Sequence, residues 1–558
     1  MPPLQRCLRC VTSPRRLVRT VRAALIGGLL ATLATVTAIV GPAADAEDAP
    51  AGSVAQPPAA ELLEDPRQIK ALTPGLARKL VAKPHDGSLY LDALTTLDTD
   101  TAQVLAQFPG PFVHLSGLTR LDTDTAQALA QFSGARLFLD GLTAIDAGTA
   151  QALAQFSGDA LFLTGLTALD TDTAKALAEF RGRILNLEGL TKLGSDTAKA
   201  LAESKSSLLS LRGLRSLDAA TAMALAKSKA WQADLPSMAT LDVETAEALA
   251  ALEGDFLSLN GLHALDAATA QALAAYKGQV LKLDGLTKLG TDTAKALAGC
   301  KCNSLCLNGL TTLDAATAKA LAECTCNTLF LEGLATLDAD TAKAIAAFKG
   351  ESLFLNRSTA IDSNTAQALA EFKGNDVFLN GLTTLDTDTA EALAELKAWN
   401  GQLPNLSALD ADTAKALAEF KGQSLDLSGL TTLDIDTAKA LANHAGTVGM
   451  SPDVVNELMA KHPFDKDTAL AYAALAGGVL ECVTAFESPD SVAIAKALAT
   501  RKGPLSLPNL KRISPKTLTA LIEKKDVEIP PIETLELIPE PDGSPTEDFV
   551  IPEGFQQR

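Results

Sequence analysis

The chain has 558 residues, a formal net charge of −19 and 4% aromatic residues, while 47% of its residues are hydrophobic. A chain this acidic is not attracted to nucleic acid or to anionic membrane surfaces, so cationic partners or divalent ions suit it better. The sequence has no G-x-S-x-G, P-loop, H-E-x-x-H or G-x-G-x-x-G motif, and its histidines are scattered. We therefore predict that the protein is not an enzyme and carries neither a cofactor nor a metal centre.

Residues 1–46 have the organisation of a secretory signal. Six arginines precede an apolar run over 23–40, and Ala44-Asp45-Ala46 follows as a cleavage site. Cleavage removes six Arg and one Asp, which changes the formal charge from −19 to −24. We predict a secreted, periplasmic or cell-envelope protein without membrane insertion after cleavage. The alternative is a membrane anchor formed by an uncleaved 23–40 helix. Residues 47–71, rich in Ala, Pro and acids, are predicted to be a linker.

The central part of the chain, from Asp98 to Asp434, repeats one 24-residue pattern fifteen times without insertion or deletion. A fixed period of this length is typical of a solenoid, in which each unit buries its apolar face against its neighbours. The alternation in L-x-L-x-G-L predicts a strand, and D-x-x-T-A-x-A-L-A-x-F has helical spacing. Asp170 and its equivalents suit the N-cap of that helix. One strand and one helix per unit predict a parallel sheet with helices on its other side.

The run L-x-L-x-G-L-T-x-L resembles the strand segment of leucine-rich repeats, with Gly141, Gly261 and Gly381 where that family usually has Asn. The helical half, with its A-L-A core, resembles the 24-residue bacterial subtype named for a G-A-L-A motif. This resemblance covers about two thirds of the chain. It implies an α/β fold, namely a right-handed leucine-rich-repeat solenoid with a parallel sheet on the concave side and short helices on the convex side. It also implies a binding scaffold without catalysis. Because Asn is missing from the strand segment, we do not expect the hydrogen-bonded Asn turn that is usual in that family.

The flanks of the regular array are less regular. We predict a solenoid over 72–446, consisting of an N-terminal cap that opens at Thr73-Pro74 and the fifteen repeats. Residues 447–529 are predicted to be degenerate repeats that close the solenoid, because an open apolar end aggregates. Residues 530–558 contain six prolines and many acids, so we predict a disordered acidic, Pro-rich tail.

Two repeats depart from the pattern in the same way. Lys229-Ala230-Trp231 and Lys397-Ala398-Trp399 lie 168 residues, or seven units, apart, and each precedes a Leu-Pro pair in place of the regular strand end. A duplicated block of seven units explains this spacing. Because Pro removes a donor from a parallel ladder, each unit is predicted to be a local distortion.

The residue between the two strand leucines points away from the core, onto the concave sheet. Read every 24 residues, this position contains two aromatic stretches in a chain that is poor in aromatic residues. Exposed aromatic clusters serve as interface anchors, and the next outward position supplies carboxylates and amides, which suit a protein segment or a glycan. The alternative is a ring stack that only covers its own sheet. The predicted ligand-binding residues are Tyr90, His114, Phe138, Phe162, Phe330, Phe354 and Phe378.

Four cysteines occupy equivalent positions on two adjacent units. Cys300 and Cys324 are one period apart, as are Cys302 and Cys326, so we predict one or two disulfides between neighbouring coils of an exported protein. A metal site built from both C-x-C pairs and plain core filling are the alternatives.

Two further functions remain open at this point. A structural cell-envelope protein would use the regular array for spacing or self-association. A calcium-dependent module would use the D-x-D pairs at the helix starts, such as Asp98 and Asp100, although helix capping already explains these residues.

Overall fold

The structure, a computed structural model, describes residues 63–83, 87–462, 464–475, 477–501 and 503–545. The predicted signal at 1–46, the alternative anchor at 23–40 and most of the predicted linker lie outside these residues. No helix within the described ranges is long and apolar enough to cross a membrane.

Each regular coil contains one short helix that begins after a capping residue. In the typical coil the cap is Asp, and Asp170 Oδ1 accepts the backbone N–H of Thr173 at 2.8 Å. Gly194 and Gly290 occupy the same place in two coils without a side-chain bond. The helices are α1 (Pro74–Ala82), α2 (Thr99–Leu105), α3 (Thr123–Leu129), α4 (Ala147–Leu153), α5 (Thr171–Ala178), α6 (Ser195–Ala202), α7 (Ala219–Leu225), α8 (Val243–Ala250), α9 (Ala267–Leu273), α10 (Thr291–Leu297), α11 (Ala315–Ala322), α12 (Ala339–Ile345), α13 (Ser363–Leu369), α14 (Thr387–Glu395), α15 (Ala411–Ala418), α16 (Ile435–Leu441), α17 (Pro452–Lys461), α18 (Ala469–Leu475), α19 (Ser491–Ala499) and α20 (Pro515–Ile522). Short 3-10 helices cover Pro66–Gln68 and Ile532–Thr534.

The strands are short, because only three residues of each regular coil pair with the next coil. They are β1 (Ser88–Tyr90), β2 (Phe112–His114), β3 (Arg136–Phe138), β4 (Ala160–Phe162), β5 (Ile184–Asn186), β6 (Leu208–Ser210), β7 (Phe256–Ser258), β8 (Val280–Lys282), β9 (Ser304–Cys306), β10 (Thr328–Phe330), β11 (Ser352–Phe354), β12 (Asp376–Phe378), β13 (Ser424–Asp426), β14 (Thr447–Gly449), β15 (Leu505–Ser506), β16 (Arg512–Ile513), β17 (Val527–Glu528) and β18 (Glu536–Leu537).

All strands pair in parallel; within each of the first three sheets the partners are neighbours in the chain, whereas β15 pairs with β17 and β16 with β18. β1 to β6 form one six-stranded sheet, β7 to β12 form another, and β13 pairs with β14. In both large sheets each residue lies opposite its equivalent 24 positions later, as Leu89 does opposite Val113. The sheet is interrupted at the two Trp-Pro units, where isolated bridges replace a strand, namely Leu209↔Trp231 and Asp234↔Ser258 at the first and Val377↔Trp399 and Gln402↔Asp426 at the second. Neighbouring coils are therefore joined by short parallel ladders with two breaks.

The core is built from leucines on the strand side and from Thr, Ala and Leu on the helix side. In the first regular coil, Leu89, Leu91 and Leu94 are fully buried, as are Thr101 and Ala102. The coils approach each other so closely at the strand ends that a Cβ on Gly117 would overlap the carbonyl oxygen of Asp92. This approach explains Gly at the position where leucine-rich repeats usually have Asn. The recurring strand, turn and helix, with their parallel sheets, form an α/β leucine-rich-repeat solenoid, so the predicted fold class is confirmed.

The two flanks are more ordered than the sequence predicts. Ile69, inside the predicted linker, is fully buried, and Lys83 Nζ donates to the Leu63 carbonyl at 2.8 Å. The disorder predicted for 530–558 is wrong for 530–545, because β18 pairs with β16 and Leu535 is buried. The prediction was based on composition alone, which does not show that a few apolar residues and one buried acid hold this segment against β16 and α20. Residues 546–558 lie outside the described part of the chain.

The buried acid of this C-terminal segment is Glu540, which is only 4% exposed. Its carboxylate accepts the Ser514 hydroxyl at 2.8 Å and the backbone N–H of Lys516 at 2.9 Å. Both donors lie at the start of α20, where free amide groups and the helix dipole favour an anion. One carboxylate thus fixes the last described segment to the last helix.

Candidate functional site

The seven predicted ligand-binding residues all lie on the sheet face opposite the helices. All seven end a three-residue strand whose central residue is buried, and all seven are partly exposed. They form two groups, which we call aromatic column 1 (Tyr90, His114, Phe138 and Phe162) and aromatic column 2 (Phe330, Phe354 and Phe378).

Within each column the rings stack on one another. The Tyr90 and His114 ring centroids are 4.3 Å apart, and those of His114 and Phe138 are 4.0 Å apart with planes 6° from parallel. Phe138 and Phe162 continue the stack at 4.3 Å. The spacing follows from the parallel register, because equivalent residues on neighbouring strands lie about 4.8 Å apart. The result is a continuous flat aromatic strip across β1 to β4.

Aromatic column 2 has the same geometry on the second sheet. Phe330 and Phe354 stack at 4.3 Å, and Phe354 and Phe378 stack at 4.0 Å with planes 8° from parallel. Between the two columns the same position contains small or polar residues, including the buried Asn186 and Ser258. The sheet face therefore carries two separate apolar strips with a polar region between them.

His114 behaves as an aromatic ring rather than as a cation. Burial between Tyr90 and Phe138 lowers the pKa of His114, the carboxylates of Asp92 and Asp140 oppose this shift, and Arg67 adds to it. The Arg67 guanidinium also lies over the Tyr90 ring, 4.6 Å from its centroid. Arg67 belongs to the segment predicted as linker, so sequence reasoning missed this part of the site.

The polar position two residues after each column has a structural role that sequence reasoning also missed. Its side-chain oxygen accepts the backbone N–H of the equivalent residue in the next coil, over 2.9–3.2 Å. We call this array the polar ladder. It supplies between coils the hydrogen bonds that Asn provides elsewhere in leucine-rich repeats, from a neighbouring position. Its acceptors are Asp92, Asp140, Asn260, Asp284, Asn308 and Asn356.

Proline interrupts the polar ladder at both sheet breaks, because it has no N–H to donate. The coil before Pro404 carries Asn380, and the buried Oδ1 of Asn380 has no partner. The coil before Pro236 has Arg212 at this position. The guanidinium group has only donors, so it does not need the backbone N–H that Pro236 lacks. Arg212 instead contacts Asp234, with 2.8 Å between Nε and Oδ2, and Glu188 at 3.9 Å. A cavity of about 240 Å³ adjoins this Arg212 cluster.

A second cavity, of about 960 Å³, lies elsewhere, on the helix side between α8 and α9. Gly254 helps to line it, and Leu252 stands there in place of the Phe of the regular coil. Carboxylates and one lysine surround it, without a nucleophile paired to a base. The cavity is on the opposite side of the coil from the aromatic columns and follows from the smaller side chain.

The six cysteines of the described residues are free thiols in this structure, and the disulfides between coils stay a prediction. Cys300, Cys302, Cys324 and Cys326 are all buried, and the Sγ atoms of Cys324 and Cys326, in one coil, lie 2.8 Å apart. These two side chains therefore share one gap within their own coil. Within the described ranges no group of three or more His, Cys, Asp or Glu residues is arranged to hold a metal ion.

In the D-x-D pairs at the helix starts, the first Asp caps the helix and the second lies in its first turn. Asp98 Oδ1 accepts the Thr101 N–H at 2.7 Å as the helix cap, whereas Asp100 is exposed in the first turn. Because the cap uses the first carboxylate, the pair does not present two free carboxylates to a cation.

Comparison with known proteins gives structural likeness only. No protein-family description matches the chain, and no curated protein matches it in sequence. Among solved structures, the mouse RP105/MD-1 complex is similar at 14% identity and a TM-score of 0.43, covering 81% of this chain and 78% of that one. LegL7, a leucine-rich repeat-containing protein of Legionella pneumophila, has 16% identity, a TM-score of 0.28 and coverage of 61% and 98%. The yeast Rad7 and Elc1 complex has 15% identity, a TM-score of 0.27 and coverage of 67% and 88%. The 24-residue bacterial subtype stays a prediction.

Proposed function

We propose that this leucine-rich-repeat solenoid is a binding scaffold without catalysis, which recognises a protein through the sheet face that carries the two aromatic columns. One observation carries the proposal: seven rings stay partly exposed in two ordered stacks, although the chain has few aromatic residues. Rigid aromatic rings provide large contact areas at a small cost in conformational entropy, and they dominate binding energy at interfaces.

The charge of the surroundings favours a partner with a basic surface. Asp92 and Asp140 flank aromatic column 1, Glu332 flanks column 2, and the whole chain carries a formal charge of −19. Complementary charges steer association and exclude acidic competitors, whereas the rings provide the affinity. Export to the envelope or the exterior, predicted from residues 1–46, belongs to the same proposal, as does a glycan as the alternative ligand.

A binding experiment with column-specific variants tests this proposal. Partners are captured from the envelope and extracellular fractions with the mature protein, and the dissociation constant is then measured for each captured partner. The variants are Phe138→Ser/Phe162→Ser in column 1 and Phe330→Ser/Phe354→Ser/Phe378→Ser in column 2. We expect at least about 25-fold weaker binding, because one hot-spot ring contributes about 2 kcal/mol or more and 1.4 kcal/mol corresponds to tenfold.

The matched control is Met223→Ser, which removes an exposed apolar side chain from α7, away from the sheet. Because stacked rings also stabilise their own sheet by about 0.5–1.5 kcal/mol per pair, each variant must first show an unchanged circular dichroism spectrum. Equal affinity of all folded variants would favour the purely structural role. Loss of a partner after protease treatment of the fraction identifies a protein, and loss after glycosidase treatment identifies a glycan.

A further inference from the structure

At the end of the regular helix, the size of one buried residue limits the size of the residue two positions later. In the typical coil a buried Phe is followed two residues later by Gly, as in Phe156-x-Gly158. A Cβ on Gly158 would overlap Cζ of the Phe156 ring. The ring thus occupies the volume that a side chain at the second position needs.

In several coils without the ring, the second position carries a side chain, whereas Leu252-x-Gly254 keeps Gly next to an open space. Ser204 and Ser206 fill the two positions in one coil, with their hydroxyl oxygens 2.9 Å apart. Leu396 and Ala398 fill them in another, and both are buried. Two small side chains from the same coil therefore replace one ring and meet each other inside the solenoid.

Two adjacent coils place a pair of cysteines in this volume. Cys300, Cys302, Cys324 and Cys326 are between 0% and 2% exposed. The Sγ atoms of Cys324 and Cys326 lie 2.8 Å apart, and the Cys326 backbone N–H donates to the Cys324 sulfur at 3.5 Å. Since two sulfurs in a disulfide are separated by about 2.05 Å, a shift of less than about 1 Å brings this pair to bonding distance.

The two thiols of each pair are not equivalent. A hydrogen bond from Cys302 lowers the pKa of the Cys300 thiol, and a hydrogen bond from Cys326 does the same for Cys324. The hydrogen bond to the partner sulfur, together with burial, raises the pKa of Cys302 and Cys326. The first thiol of each pair is thus the better nucleophile, because the thiolate is the reactive form.

We propose that each C-x-C pair is a redox site that closes reversibly to a disulfide within its own coil when the protein meets a peroxide. The Cys324 thiolate attacks one peroxide oxygen, the O–O bond breaks, and the products are a sulfenic acid and water. The Cys326 sulfur then attacks the sulfenic sulfur, an S–S bond forms and a second water leaves. Two thiols lose two hydrogens and two electrons, and one hydrogen peroxide becomes two waters. Cys300 and Cys302 react in the same way.

The small loop closed by each bond argues for a redox function instead of a structural one. A disulfide stabilises a fold mainly in proportion to the logarithm of the loop that it closes, and the loop here has three residues. A bond with little stabilising effect is easily reduced, which is typical of regulatory disulfides. The deep burial adds selectivity, since a small uncharged oxidant reaches the sulfurs more readily than a bulky thiol reagent.

Peptide mapping of the full-length protein tests the connectivity. The protein carries Cys306→Ser, is treated with hydrogen peroxide, alkylated in denaturant and digested with trypsin without reduction. Trypsin cleaves after Lys301, between Cys300 and Cys302, but not between Cys324 and Cys326. We expect peptide 296–301 to be linked to peptide 302–319. We expect peptide 320–343 to be unlinked and lighter by two hydrogens, with both changes reversed by dithiothreitol.

A second variant removes one pair by restoring the regular coil. Cys300→Phe/Cys302→Gly supplies the Phe-x-Gly arrangement of the other coils, and we expect Cys324 and Cys326 still to close completely. In the Cys306→Ser protein that keeps all four cysteines, linkage of peptide 320–343 to 296–301 or 302–319 would mean that the bonds run between coils, and it would overturn the proposal. Thiols that stay reduced, or that become sulfinic acid without linkage, also overturn it.

Discussion

The buried ring and the glycine two residues later compete for the same volume. We therefore predict that replacing the glycine by alanine destabilises the protein when the ring is present and stabilises it when the ring is absent. The test site is Phe420-x-Gly422, where an added Cβ on Gly422 would lie closer than 3.0 Å to two ring atoms of Phe420 and to nothing else within that distance. Gly422→Ala in the native protein must displace the ring, so we expect a loss of about 1–3 kcal/mol of local stability from overpacking.

The result reverses when the ring is removed. Phe420→Leu alone costs about 1 kcal/mol through lost buried apolar volume. Adding Gly422→Ala in that background gives Leu-x-Ala, the combination that Leu396-x-Ala398 has naturally in the preceding coil. Gly422→Ala then stabilises by about 0.4–1 kcal/mol, since alanine restricts the unfolded chain without a clash. The coupling energy of the double-mutant cycle is therefore about 2 kcal/mol.

Native-state hydrogen exchange measures this quantity best, because long repeat arrays do not unfold in one cooperative step. The relevant amides are those of β13, which follows Gly422 directly. The control is Gly254→Ala in the native protein, where Leu252 precedes and an added Cβ meets nothing within 4 Å. We expect Gly254→Ala to be neutral or stabilising. The same destabilisation by Gly422→Ala in both backgrounds would refute the argument that the ring excludes the side chain.

Two further predictions concern the backbone and the helix caps. Ala233 has a φ of 52°, and Gly401, its equivalent 168 residues later, has a φ of 71°. Because a positive φ is unfavourable for a residue with a side chain, Ala233→Gly should stabilise the fold by up to about 1 kcal/mol and Gly401→Ala should destabilise it by about 1–3 kcal/mol. Hydrogen exchange at each sheet break measures both effects. Backbone N–H groups of Thr173, Thr269 and Thr317 lower the pKa of the capping Asp170, Asp266 and Asp314. A lowered folded-state pKa gives stability that is present above the unfolded value near 3.8 and is lost as the pH falls below it. Replacement of all three by Asn, which caps without titrating, should therefore flatten the melting temperature between about pH 5 and pH 2, and an unchanged pH profile would contradict the capping role.

The sequence was sufficient to predict the repeating coil because each coil satisfies local rules. Alternating leucines and a capping Asp specify one strand and one helix without information from distant residues. The two aromatic columns follow from the same periodicity, since a parallel register places equivalent residues next to each other. That the columns bind a partner stays a prediction.

The parts that sequence reasoning missed depend on contacts across coils. The polar ladder was interpreted as a ligand-facing column, although its oxygens accept backbone N–H groups that no pattern of side chains reveals. The disulfides between coils stay a prediction, but the sequence did not reveal that Cys324 and Cys326 share the space of a missing ring within one coil. Residues 530–545 were predicted from composition, which cannot reveal that Glu540 fits the start of one particular helix.

The direction of the polar ladder gives the stack of coils two chemically different ends. Every acceptor belongs to the earlier coil and every donor to the later one, so the stack has a head and a tail. Such an array can grow only head to tail, and a head-to-tail contact that does not close produces filaments. β18 occupies the side of β16 where growth would continue. Pro539 and Pro541, just beyond β18, lack the donors that a further strand needs. The C-terminal segment thus covers this edge of β16 and disfavours pairing of a further strand there.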